Sequence, residues 1–137
     1  MTEDSGGLRE ELGKILAKSQ RMLLAAERAL QDGFFETAAS RAYYTVFHAI
    51  QALLKSVGQT YSKHTGVIGA FHRDFIKTGI FPDDFGKALT RLVKHRDIGD
   101  YSYIWELDPE KVREDVRRAR EILDSIRRYL HEHPEKG

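Results

Sequence analysis

Cysteine and asparagine are both absent from this sequence of 137 residues, and methionine, proline and tryptophan occur only two, three and one times. Without cysteine there is no disulfide framework, no thiolate zinc site and no cysteine nucleophile. The shortage of thermolabile side chains is what a hot-living source favours, and a GC-rich genome gives a similar bias. An excess of either charge is missing too: 22 Lys and Arg stand against 21 Asp and Glu, leaving a net +1. A protein whose main partner is a phosphate backbone usually carries a larger and clustered positive excess, so any contact with RNA or a nucleotide has to be local. No run approaches the ~20 apolar residues of a membrane helix, and the N-terminus lacks the basic-then-apolar pattern of a signal peptide. The expected location is the cytoplasm, away from membranes.

What is present is the balance of a globular chain, 41% hydrophobic and 31% charged, at a length that buries one core. The expectation is a single domain over 1–137, with its core at about 8–131 and flexible termini. Leu8, Leu12, Ile15, Met22, Ala26 and Ala29 recur at helical spacing and predict a helix over about 8–30, ended by Gly33. A second helix is predicted from Phe35 to Val57, with Gly58 just past its end. It is the most apolar segment, and a helix apolar on most sides is a central one. A shorter helix follows over about 63–77 and is closed by Gly79. A fourth runs from Pro82 toward Ile98, and residues 101–107 form an aromatic connector. Asp108 and Pro109 read as the cap and first turn of a last helix that stops before Pro134. No strand signal and no internal repeat is visible. The fold class is all-α, an up-and-down bundle of four to five helices.

Two polar constellations stand out against this pattern. On the second helix Arg41, Tyr44, Thr45 and His48 fall at i, i+3, i+4 and i+7. Such a stripe is either a hydrogen-bonded lock between helices or one wall of a binding or catalytic cleft. The second is the run from His95 to Tyr103, in which Arg96, Asp97, Asp100, Tyr101 and Tyr103 crowd the end of the fourth helix. It is either a helix-end ion pair or a site, and Gly99 is expected to turn the backbone there. No metal site is expected: His64 and His72 are eight apart, His131 and His133 sit in a terminal HEH run, and no HExxH accompanies them. No P-loop, GxGxxG or GxSxG is present, and no cofactor is expected. Arg113, Arg117, Arg120 and Arg127 on the last helix are interleaved with glutamates and read as a solvated, salt-bridged face.

Taken together, Ser40-Arg41-Ala42-Tyr43-Tyr44-Thr45-Val46-Phe47-His48-Ala49, Lys63-His64-Thr65-Gly66-Val67, Phe75-Ile76-Lys77-Thr78-Gly79 and Arg96 leading to Asp100-Tyr101 resemble an HEPN domain over almost the whole chain. The resemblance implies a helical bundle that commonly forms a homodimer. It also implies frequent pairing with a small nucleotidyltransferase encoded next door, in toxin–antitoxin-like pairs. Many members are metal-independent ribonucleases, with an arginine, four to six residues, then a histidine, often followed two positions later by a tyrosine. The motif's arginine holds the scissile phosphate and its histidine transfers protons. In this chain Arg96 matches the arginine, Tyr101 stands where the histidine falls and Tyr103 where the tyrosine falls. Tyrosine, ionising near ~10 in water, is a poor general base, although His48 or His95 could face the same cleft. The leading expectation is therefore a dimeric binding and regulatory module that engages a nucleotide, an RNA or a nucleotidyltransferase. Its ligand-binding residues would be Arg41, Tyr44, His48, Arg96, Asp100, Tyr101 and Tyr103. The alternatives are a metal-independent endoribonuclease with an altered motif, its catalytic candidates Arg96, Tyr101 and His48, and a purely structural dimerisation domain.

Overall fold

The architecture is described from a computed structural model covering residues 2–134. It contains α1 (Thr2–Gln31), α2 (Phe35–Ser56), α3 (His64–Phe71) running into a π-helical turn (His72–Ile76), α4 (Asp83–Tyr101) and α5 (Pro109–Glu132), with no strand among the described residues. The chain is the all-α bundle expected. Its direction alternates: Ser19 of α1 meets Thr45 of α2, Arg96 of α4 meets Tyr44 of α2, and His95 of α4 meets Asp115 of α5.

The central position of α2 follows from its composition. Fourteen of its 22 residues are buried, and it packs against α1, α4 and α5 together. Tyr43, Ile50, Leu53 and Leu54 form the middle of one core with Leu23, Phe71, Leu89, Ile122 and Ile126. At the end of α2, Gly58 takes φ +81°, a left-handed conformation costly for a side-chain-bearing residue. Its N–H bonds to Lys55 O and that of Gln59 to Leu54 O, satisfying the helix's last carbonyls. Asp108 caps α5 by accepting from Glu110 N–H at 3.0 Å, with Pro109 in the first turn.

Three expectations need correction. Helix α1 begins at Thr2 rather than near Leu8, because a helix nucleated on the Leu8–Leu30 stripe propagates through Gly6 and Gly7 at a cost of about 1 kcal/mol each. The third segment is not one regular helix: its second half is π-helical. Gly99 does not turn the chain. Helix α4 continues through it to Tyr101, and its missing side chain lets α4 approach α2, since a Cβ there would lie 3.2 Å from Glu36 O. His133, at the end of the HEH run, is half-buried, stacks on Tyr129 and donates from Nδ1 to the Tyr129 carbonyl (3.0 Å). The flexibility expected of the outermost termini, at Met1 and residues 135–137, lies outside the described residues.

The arginines of α5 behave as the interleaved glutamates suggest. Arg113 pairs with Glu110, Arg117 with Glu114, Arg118 with Glu114 and Glu121, and Arg120 with Glu27 of α1. Surface pairs of this kind add little each. No helix among the described residues is long and apolar enough to cross a membrane.

Candidate functional site

The polar stripe on α2 splits in two. Thr45 is fully buried, and its hydroxyl donates back to the Arg41 carbonyl at 2.8 Å. Its own carbonyl accepts from Ser19 of α1. Thr45 therefore belongs to the α1–α2 packing. Arg41, Tyr44 and His48 stay at the surface, half-buried.

Arg96 is held against this line by two tyrosines. Its guanidinium carbon lies 4.5 Å from the centre of the Tyr43 ring and 5.9 Å from that of Tyr44. Nη1 donates to the Tyr44 hydroxyl (3.2 Å) and Nε to Asp97 Oδ1 (2.9 Å), with Nη2 also 2.9 Å from that oxygen. Only 15% of the side chain is exposed, so burial works against its charge. The Tyr44 hydrogen bond and the Asp97 carboxylate outweigh that effect and hold the guanidinium firmly protonated. Three of its five N–H groups are engaged when the Nη2 contact is counted, and two Nη protons remain to be donated.

Tyr43, in the core of α2, is the hinge of the arrangement. Its ring is fully buried beneath Arg96, and its hydroxyl is hydrogen-bonded to Nδ1 of His64 at 3.0 Å. Burial pushes the phenol up to about 12 even though Arg96 pulls the other way, so it keeps its proton near neutrality. His64 opens α3, is exposed, and packs on Phe47 with ring centres 4.1 Å apart. Its Nε2 has no hydrogen-bond partner among the described residues. An exposed imidazole thus shares a tyrosine with Arg96, a juxtaposition the sequence did not reveal. The available signal was indirect: a tyrosine on the most buried helix needs a partner for its hydroxyl, but nothing in the sequence says which.

The other expected residues fall as follows. His48 stacks on Tyr44, with ring centres 6.0 Å apart, and donates from Nδ1 to Gln51 Oε1 (2.9 Å). Burial lowers its pKa below that of a free imidazole, only partly offset by Gln51, and nearby Lys18 and His64 lower it further. Arg41 and Asp100 line a shared notch of about 290 Å³ with Glu36, Ser40 and Gly99. The Arg41 guanidinium has no hydrogen-bond or ion-pair partner among the described residues. His95 does not face the cleft: it is buried against α5 and donates from Nδ1 to Asp115 Oδ2 at 2.5 Å. Tyr101 and Tyr103 are not brought to Arg96 within the chain. Tyr101 lies five residues on, about 140° further round the helix, and the two rings are 79% and 96% exposed. Beside them Ile104 and Trp105 are exposed as well, their N–H groups both donating to the Ser102 hydroxyl. No group of three or more metal-ligating side chains forms among the described residues.

Comparison with known proteins agrees with this fold and with the resemblance read from the residues. The sequence profile of the HEPN domain matches residues 13–129. A Thermotoga maritima protein named UPF0332 protein is 35% identical over 113 residues, 82% of this chain and 86% of its own. Two Methanocaldococcus jannaschii proteins that carry the name "Putative toxin" are each 28% identical. The matches span 89% and 91% of this chain and 83% and 92% of theirs. The crystal structure of TT1696 from Thermus thermophilus superposes with a TM-score of 0.73 at 18% identity, over 85% of this chain and 96% of that one, and shares the fold. The chain belongs to the HEPN domain family.

Proposed function

We propose that this protein is a phosphate-binding regulatory module that engages RNA or a nucleotide through Arg96. In this reading it works as a homodimer within a toxin–antitoxin-like pair whose other member is a small nucleotidyltransferase. The observation that carries the proposal is the mounting of Arg96: a nearly buried guanidinium, fixed over Tyr43 and bonded to Tyr44, with two N–H donors still to give. A pre-oriented fork of this kind suits phosphate oxygens. Arg41, one turn from Tyr44 along α2 and without a hydrogen-bond or ion-pair partner among the described residues, adds a second guanidinium nearby. The toxin names of two relatives are consistent with the reading. So is the dimer that the family resemblance implies, for which the exposed run from Tyr101 to Trp105 supplies an apolar surface. Titrating labelled single-stranded RNA with the protein at several salt concentrations tests it. Few phosphate contacts predict binding whose log–log salt slope is shallower than about −3. No binding at about 50 mM salt, where such contacts are strongest, would count against it.

A second reading, metal-independent RNA cleavage, is favoured by one observation: His64 supplies an exposed imidazole beside Arg96 even though Tyr101 replaces the motif histidine. Tyr43 fixes Nδ1, leaving Nε2 for proton transfer. Cleavage of RNA in EDTA that disappears in His64→Ala and persists in Tyr101→Phe would support it, and no cleavage by the native protein would dismiss it.

A further inference from the structure

Helix α2 shows solvent one continuous line. Arg41, Tyr44, His48, Gln51 and Lys55 follow one another at steps of three and four, each is half-buried, and none is a carboxylate. The fourteen residue-to-residue rises from Arg41 to Lys55 make this line about 21 Å long. Its lower half is the Arg96 site. Its upper half, past His48, opens into a cleft of about 390 Å³ between α1, α2 and the loop leading to α3.

The lining of this cleft is selective. Lys18 from α1, with Lys55 and His48 from α2, contributes positive or protonatable groups, and no aspartate or glutamate lines it. Glu11, 3.8 Å from Lys55, stands outside. The floor is Ile15, Leu54 and Val67, the last two almost fully buried. Tyr61 stands at one side and is braced: its hydroxyl donates to Gln59 Oε1 (3.0 Å) and accepts from Arg73 Nη2 (3.2 Å), while Arg73 is itself fixed to Asp74 at 2.8 Å. Ammonium groups above an apolar floor with an aromatic side suit a ligand that is anionic at one end and flat at the other, and the volume suits a small molecule. The two halves of the line are continuous, since His48 stacks on Tyr44, whose hydroxyl accepts from Arg96.

We infer that the α1–α2 cleft is a nucleotide subsite, taking a phosphate on Lys18, Lys55 and His48 and a base between Tyr61 and the Leu54–Val67 floor, one step along α2 from the phosphate held by Arg96. The inference rests on the phosphate-binding reading above and adds a second position to it. The ligand is either a free mononucleotide or one unit of a single strand lying along α2. His48 reports occupancy: burial, and after it the field of Lys18, now depress its protonation, and a phosphate beside it opposes both.

The experiment titrates the whole protein with AMP and with a 5′-phosphorylated RNA tetranucleotide, followed by calorimetry and by NMR of amides and imidazoles. AMP is expected to shift the Gln51, Thr60 and Tyr61 amides and to raise the His48 titration midpoint. Lys18→Ala/Lys55→Ala should weaken the AMP binding read at the Thr60 and Tyr61 amides at least about tenfold, and Arg96→Ala should weaken the tetranucleotide. Loss of tetranucleotide affinity in the lysine variant, without measurable AMP binding, would assign the cleft to a strand alone and still supports the inference. Shifts that cluster around Arg96, or equal affinities in native protein and lysine variant, overturn it. Should the lysine variant melt early, Thr60→Trp, at an exposed position in the cleft lining, is expected to block the ligand in its place. Weakening by the lysine substitutions with no effect of any Arg96 substitution would sink the Arg96 reading while leaving the cleft site standing.

Discussion

Arg96 and Tyr43 form a stacked pair across two helices, the guanidinium carbon 4.5 Å from the centre of a ring that is wholly buried. A cation over an aromatic face contributes about 0.5–2 kcal/mol depending on how dry it is, and 15% exposure puts this pair toward the dry end. The consequence is positional. The tyrosine is fixed by the core, the arginine by the tyrosine, and the remaining N–H donors of Arg96 are thereby aimed before any ligand arrives.

The buried phenol gives an alkaline signature. Tyr43 has its folded pKa raised by burial from 10.0 to about 12. Stability from the neutral hydroxyl is therefore complete below pH 10 and is lost as pH rises through about 12. Phenolate absorbance should show a step near pH 12 that Tyr43→Phe removes, and the variant should lose less stability over that range than the native protein. A step that persists in Tyr43→Phe would contradict the assignment.

The pair His95–Asp115 joins α4 to α5 with both side chains buried. Burial pushes the Asp115 carboxyl up, against the opposing pull of His95. Removing one partner leaves the other without its hydrogen bond inside the protein, which costs about 3–5 kcal/mol for a buried pair. Asp115→Ala should lower the melting temperature by about 10 °C or more by differential scanning calorimetry, while Arg96 still binds phosphate. A change of under about 2 °C would mean that water replaces the lost group.

How much of this was legible in the sequence depended on whether the signal was periodic or spatial. Helix α2 announced its central place because its apolar residues surround the rod, and Asp108-Pro109 announced the start of α5 because capping is local chemistry. Arg96 and Tyr44 could be named because each sits in a dense or misplaced polar run, and they do meet. The link from Tyr43 to His64 spans 21 residues and depends on the loop angle between α2 and α3, which no local pattern encodes. Gly99 misled for a related reason. Glycine marks both a turn and a close helix approach, and only the position of Glu36 on α2 decides between them. The cleft was missed because, apart from His48, its residues come from α1, α2, a loop and α3 and are each ordinary in their own segment.

The apolar connector makes a prediction about assembly. Trp105 is 70% exposed within the chain, and its replacement should change folding stability by no more than about 0.5 kcal/mol. Trp105→Glu is expected to convert the proposed dimer to a monomer in light scattering at micromolar concentration, with an unchanged circular dichroism spectrum. A native protein that is already monomeric would remove the dimer from the account.

Arg96→Lys is the most direct measurement of the central claim. Lysine keeps the charge and loses the planar fork, so a role as a mere point charge would survive the change. Fluorescence anisotropy with labelled single-stranded RNA should show affinity reduced at least about tenfold, about 1.4 kcal/mol. The melting temperature should fall by no more than a few degrees, since lysine keeps a cation over Tyr43 and near Asp97 and loses chiefly the part-buried hydrogen bond to Tyr44. Unchanged RNA affinity together with a large loss of melting temperature would contradict the claim and leave Arg96 as a lock between α2 and α4.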